Sequence, residues 1–299
     1  MFGNLTIFRF PPDFDLDELE ASLEGAALKP VGPLELASSG FVPPFGRDSV
    51  VLSHAVGRVV WLTMGTEKRL LPPAVVNATV AERVAAIEKQ TGRAPGGKKR
   101  REIKEEVLNE LLPKAFVQPG RVDMTIDRTH AFIAVDTATR RAAEQGVSLV
   151  RLALGSFPAL PLNAEVPVRS LMTGWLAGEE LPEGFALAED VELHGGIDGD
   201  VWKGSRADLE GDEVRFHLEQ GKQAVRVGLT YEDRVSFTLC EDLVIRKFKL
   251  LDLAWEQLDG HETEDARAEL DARYALTAAE IRKLFKALDG ALKFSPVST

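Results

Sequence analysis

Arg93-Ala94-Pro95-Gly96-Gly97-Lys98-Lys99-Arg100-Arg101-Glu102-Ile103-Lys104 runs into Glu105-Glu106-Val107-Leu108-Asn109-Glu110-Leu111-Leu112 and then Pro113-Lys114-Ala115-Phe116. A Gly/Pro-rich joint leads into a cationic cluster, the cluster into an amphipathic helix, and a proline stops it just before an aromatic. Upstream, Pro73 suits a first helical position, Val76, Val80, Val84 and Ile87 repeat at helical spacing, and Gly92 suits a C-cap. Residues 73–112 therefore read as a helical hairpin, with its joint at residues 94–97 and a basic second helix at about 98–112.

Working outward, residues 4–10 read as a strand. Asp15 with Glu18 reads as a capping box for a helix that buries Leu16, Leu19 and Leu23. Residues 38–47 read as a loop anchored by Phe41 and Val42. Three short strands follow at 50–55, 58–65 and 68–71, with turns at Gly57 and Gly65. Downstream, residues 121–127 and 131–136 form a hairpin, and Thr137 caps a helix that reaches Leu154. A proline-rich connector (155–167) and a short helix (171–177) come next. The acidic, glycine-rich segment 183–200 carries one or two strands, and 212–220 is helical. Strands at 224–231, 234–240 and 243–250 make a second meander. Residues 265–272 are helical, and Thr277 with Glu280 opens a last helix closed by Gly290. The fold class is α+β, with antiparallel sheets, accompanying helices and a protruding helical hairpin. By region, 1–72 and 117–167 are two parts of a central α+β body, 73–116 is the hairpin arm and 168–299 is a C-terminal α+β region.

The chain has 299 residues, 44% hydrophobic and 28% charged, enough for a sizeable core without disulfide or metal. One cysteine, Cys240, excludes an internal disulfide and fits a reducing compartment. The N-terminus lacks a basic signal region and no run approaches a membrane span, so a cytoplasmic protein is expected. Net charge is −11, so the cations at 93–104 form a basic island on an acidic molecule.

No nucleotide loop, hydrolase elbow or zinc-protease motif is present. His54, His130, His194, His217 and His261 have no metal-ligand spacing. Asp13, Asp15, Asp17 and Glu24 fall at calcium-loop positions, but Glu18 stands where that loop needs glycine. Asp198-Gly199-Asp200 reads as a turn. No metal is expected. Arg93, Lys98, Lys99, Arg100, Arg101 and Lys104 lie within twelve positions, diluted only by Glu102. A solvated helix face with ion pairs to Glu105 and Glu106 would account for an ordinary charge run. The preceding glycines and the acidic background favour phosphate binding, and the lack of interleaved aromatics favours a sequence-nonspecific backbone contact.

Nearly end to end, the chain resembles the bacterial recombination-associated protein RdgC family. The resemblance rests on Gly40-Phe41-Val42-Pro43-Pro44 with Gly46, Glu67-Lys68-Arg69-Leu70-Leu71-Pro72 and Leu111-Leu112-Pro113-Lys114-Ala115-Phe116. It continues through Thr125-Ile126-Asp127, Leu154-Gly155-Ser156 with Pro158 and Pro161-Leu162, and Gly184-Phe185. It implies a non-enzymatic, cofactor-free, nucleoid-associated protein. The implied form is a ring-shaped homodimer that admits duplex DNA, with single-stranded DNA as a second form, and antagonises RecA. By the same resemblance, Arg93, Lys114 and Phe116 match positions tied to DNA binding or ring closure. Pro72 matches a proline that receives the aromatic across one dimer contact. Arg206 and Ala207 stand where the family has a basic residue followed by an amide, so the charge is kept and the amide is not. Two other readings stay open: a nucleic-acid-processing enzyme with an unrecognised acidic metal site, and a protein-binding scaffold.

Overall fold

The computed structural model describes residues 2–46, 49–195, 199–258 and 265–297. In chain order the strands are β1 (Thr6–Arg9), β2 (Ala37–Val42), β3 (Ser53–Val56), β4 (Val59–Leu70), β5 (Phe116–Asp127), β6 (Phe132–Val135), β7 (Leu160–Pro161), β8 (Phe185–His194), β9 (Val201–Gly204), β10 (Gln223–Tyr231), β11 (Val235–Cys240) and β12 (Ile245–Leu250). The helices are α1 (Leu19–Ser22), α2 (Pro73–Thr91), α3 (Gly97–Leu111), α4 (Arg140–Leu154), α5 (Val168–Leu176), α6 (Asp212–Glu219), α7 (Asp252–Trp255) and α8 (Ala266–Leu292). This is a mixed α+β protein with two antiparallel sheets. One sheet runs β2-β4-β5-β6-β1-β7 with β3 beside β4; the other runs β12-β11-β10-β8-β9.

The chain divides into two compact units. The first comprises Met1–Gly25, Pro43–Thr63 and Val122–Thr299; the second comprises Ala26–Val42 and Met64–Arg121. The core of the first unit gathers Leu5, Ile7, Trp61, Phe132, Val227, Leu239, Tyr274 and Phe285. Tyr274 stacks on Trp61 at 4.8 Å, and Phe285 on Phe132 at 4.4 Å. In the second unit, Gly40 and Gly65 let backbones close up. A Cβ on Gly40 would lie 2.3 Å from the Leu28 nitrogen, and one on Gly65 would lie 2.5 Å from Val42 Cγ1.

Those two glycines correct the sequence reading. Residues 37–42 form a strand rather than a loop, because Gly40 serves a close approach and Leu28 N–H donates to Phe41 O at 2.9 Å. The strands expected at 58–65 and 68–71 are one twelve-residue strand passing straight through Gly65. Gly57, with φ +59°, is a turn glycine as expected. Arg47 lies outside the described residues.

Three capping assignments also change. Asp15 accepts from Asp17 N–H at 2.8 Å in a local turn, and α1 begins only at Leu19, although Leu16, Leu19 and Leu23 are buried as expected. Thr137 accepts from Thr139 N–H at 3.1 Å, and α4 begins at Arg140. Thr277 and Glu280 open nothing: α8 is one 27-residue helix running through both and past Gly290, capped by Asp265. Thr277 donates to Arg273 O at 2.7 Å, a bond made inside a helix. Glu280 is buried and accepts from Arg234 at 2.7 Å and from Lys283 at 3.1 Å.

Burial by itself would raise the Glu280 carboxyl, but the bonds from Arg234 and Lys283 outweigh it and hold the group below its usual range. A folded-state value below the unfolded one stabilises the protein above about pH 4.3, and that contribution is lost as pH falls through the folded value. Arg234→Met should therefore cost about 3 kcal/mol at pH 7, because the buried Glu280 charge keeps only Lys283, at 3.1 Å, as its partner. The deficit should shrink below about pH 4, where Glu280 can take up a proton. Urea denaturation at several pH values measures both; a deficit independent of pH would contradict the assignment.

Candidate nucleic-acid interface

The basic island sits in the second unit, on α3. Pro73 occupies the first turn of α2, and Gly92, left-handed at φ +70°, ends it by donating to Glu88 O at 2.8 Å. After residues 93–96 the chain turns into α3, whose first helical bond runs from Arg100 N–H to Gly96 O at 3.0 Å. Val76, Ile103 and Val107 form a buried seam, flanked by Val80, Val84, Ile87, Leu108 and Leu111. Arg83 of α2 adds ion pairs to Glu110 and, at 3.9 Å, to Glu106 of α3.

The seam decides which cations are available. At 3.6 residues per turn, Lys98 and Arg101 lie on the side of α3 turned from Ile103 and Val107, and Lys104 follows at i+6 on the flank of that side. All three are exposed, as is Arg93. Among the described residues none of these four side chains has a hydrogen bond or ion pair. Lys99 instead pairs with Glu102 at 3.1 Å, which raises its ammonium above the usual value. Arg100 Nε donates to Pro95 O at 3.2 Å. Among the described residues, none of the island's cations forms the expected ion pairs to Glu105 or Glu106; Glu106 is turned toward Arg83.

The first turn of α3 breaks a local rule. It holds Lys98, Lys99 and Arg100, with Arg101 next in line, and no acidic residue. A helix N-terminus carries the positive end of the macrodipole, so cations there are unfavourable by roughly 0.3–1 kcal/mol each when solvent-exposed. Positive backbone and positive side chains converge where an anion would satisfy both.

At the other end of α3, Lys114 Nζ pairs with Glu110 at 3.3 Å, and both are exposed. With Arg83, Lys114 holds the Glu110 carboxyl below its usual range. Phe116 opens β5 with 83% of its surface exposed. Pro72, Leu70, Val75 and Val117, all in the same unit, are exposed too. The sequence reading missed Arg69. Its guanidinium donates to Leu112 O at 2.9 Å, Ala115 O at 3.3 Å and Gly32 O at 3.2 Å, fixing the turn from which Lys114 and Phe116 project. Its place at the end of the charged run Glu67-Lys68-Arg69, just before Leu70-Leu71-Pro72, carried no local signal of that role.

Arg206 and Ala207 belong to the first unit, between β9 and α6. Arg206 is exposed and left-handed at φ +54°, and Ala207 N–H donates to Glu189 O at 3.0 Å. They border an open cleft of about 490 Å³ with Leu187 and Glu210.

Among the described residues, no group of three or more His, Cys, Asp or Glu side chains could hold a metal ion. His54 bonds to Asp271, His130 Nδ1 lies 3.4 Å from Asp127, His194 bonds Glu192 at 2.9 Å, and His217 packs on Trp202. Asp200 pairs with Lys222 at 2.5 Å. Asp198 and His261 lie outside the described residues. No described helix is long and apolar enough to cross a membrane.

Residues 1–295 match the family model described as "Putative exonuclease, RdgC". The chain belongs to the RdgC family. Relatives named recombination-associated protein RdgC occur in Xanthomonas campestris pv. campestris (strain B100), 52% identical, in Xanthomonas axonopodis pv. citri (strain 306), 51%, and in Xylella fastidiosa (strain 9a5c), 47%. Each match covers 98% of this chain and 98% of the relative, so the RdgC resemblance spans α3, Phe116 and the second sheet alike.

Because Lys98, Arg101 and Lys104 support nothing in the fold, the triple replacement K98Q/R101Q/K104Q should leave stability within about 0.5 kcal/mol of wild type or raise it. Thermal melting with far-UV circular dichroism checks this; a clear loss would mean the cations hold the helix pair together.

Proposed function

We propose that the protein binds duplex DNA without reading sequence, as a ring-shaped homodimer, and restrains RecA-dependent recombination without catalysing a reaction. The observation that carries the reading is the set Lys98, Arg101 and Lys104, exposed in the first half of α3 and without a hydrogen bond or ion pair among the described residues, with the exposed Arg93 preceding the helix. Lys and Arg neutralise backbone phosphates and release counterions, which suits a basic island on a chain of net charge −11. The helix pair α2–α3 serves as a hairpin arm that presents this set. The names of the relatives supply the link to recombination.

Ring closure draws on the exposed Phe116. An aromatic left in water at 83% exposure is a natural anchor for a pocket on a second copy, with Pro72 in the receiving surface. Arg206 and Ala207 make the second contact, weakened where alanine replaces an amide. Residence is cytoplasmic, on the nucleoid.

Fluorescence anisotropy with a labelled duplex across a salt series tests the DNA reading. About six phosphate contacts would give a slope near −5 in log K against log salt. Binding that ignores salt, or none at all, would refute it.

Phe116→Ala should shift the protein toward monomer or open dimer in analytical ultracentrifugation, with a loss of roughly 2 kcal/mol or more in association. An unchanged distribution would remove Phe116 from the interface. The family description names an exonuclease. Incubating end-labelled duplex and single strands with magnesium or manganese should yield no shortened products; product formation that tracks the purified protein would replace the clamp by an enzyme.

A further inference from the structure

A second cluster of cations lies on the five-stranded sheet of the first unit. Strand alternation sends Val191, Leu193, Val227, Leu239 and Ile245 into the core. Their neighbours point the other way, and the register aligns them across the strands. Lys203 of β9 faces Glu192 of β8, Glu192 faces Arg226 of β10, and Thr238 of β11 faces Arg246 of β12. Together they border a cleft of about 350 Å³.

A bulge enlarges the positive side. Ser236 pairs with Lys249 and Thr238 with Arg246, so β12 carries one residue more than β11 over this interval. Lys247 absorbs it in the left-handed region at φ +52°, a strained conformation for a residue with a side chain. As a result Arg246 and Lys247, adjacent in sequence, both line the cleft, while Phe248 still reaches the core.

Two carboxylates answer four cations. Glu192 takes Arg226 at 2.6 Å and Lys203 at 3.5 Å, and Asp190 takes Lys247 at 2.7 Å and Ser205 at 2.9 Å. Arg246 has no carboxylate, and its buried Nε has no acceptor among the described residues. The cleft is thus built with a surplus of positive charge, four cations to two carboxylates.

The geometry points to a second phosphate-binding surface, formed by Lys203, Arg226, Arg246 and Lys247 and separate from α3. Guanidinium and ammonium donors over an aromatic-free cleft suit phosphate oxygens rather than bases. The inference rests on the duplex-DNA reading for the source of its phosphates; a free phosphorylated molecule is the other source, and inorganic pyrophosphate is its probe.

The test uses the full chain in four forms: wild type, K203Q/R246Q, K247G and the α3 triple K98Q/R101Q/K104Q. Duplex affinity is followed across a salt series by anisotropy, and melting is followed with and without pyrophosphate. K203Q/R246Q should make the salt slope shallower by about two, and K247G by about one, independently of the loss in the α3 triple. Glycine adopts φ +52° without strain, so K247G should melt no lower than wild type while binding less tightly. That keeps the test decisive if K203Q/R246Q folds poorly. Wild-type slopes in K203Q/R246Q and K247G, alongside weakened binding by the α3 triple, would overturn the cleft and leave the DNA reading standing. If wild type binds no duplex, the DNA reading fails. A pyrophosphate-induced rise in melting, absent in K203Q/R246Q and K247G, would then assign the cleft to free phosphates, and no such rise would overturn it.

Discussion

The apolar seam of Val76, Ile103 and Val107 determines what α3 can display. A helix with one buried side must turn the other outward, and here the outward side inherits Lys98 and Arg101, with Lys104 on its flank. Without the seam, the same cations on a free peptide would be distributed over conformations with no fixed spacing. The five-stranded sheet obeys the same constraint with period two instead of 3.6. Its apolar residues enter the core, and the intervening Lys203, Arg226 and Arg246 are left facing one cleft. In both units charge is organised by what the apolar residues claim first.

An overall charge of −11 does not oppose this arrangement. Exposed charges more than about 8–10 Å apart are largely screened at physiological salt, so an acidic surface elsewhere barely changes the field at α3. Under the proposed function, distributed acidity would also discourage indiscriminate contact with nucleic acid and leave the organised cations to set where contact occurs. The ion pairs around Glu110, Glu192 and Asp190 go further and neutralise individual lysines and arginines, so only some of each cluster is uncommitted.

Much of this could be read from the chain because the signals are local. Pro73, the valine stripe and Gly92 define α2 within twenty residues, and the basic run begins α3 within one residue of its expected start. Alternation likewise gave β10, β11 and β12. What escaped depends on distant partners. Gly65 looks like a turn until Val42 is seen against it, and Gly40 looks like a loop until Leu28 is. Thr277-x-x-Glu280 has the form of a cap, yet Arg234, 46 positions earlier, is what the glutamate serves. The cationic row on the second sheet is invisible in sequence, since Lys203, Arg226 and Arg246 are scattered and only strand register assembles them. Phe116 was legible as an aromatic after a helix stop, but its exposure depends on how the rest of the described residues pack around it.

The inverted first turn of α3 has a thermodynamic corollary. Four cations against the positive end of a helix dipole, with like charges at i,i+3 and i,i+4, work against the helix they belong to. Any polyanion that neutralises them removes that opposition, so ordering of this turn and capture of the anion draw on the same free energy. By linkage, each must strengthen the other by an equal factor. On the proposed reading, the bound polyanion would supply stability to this turn that its own cations withhold.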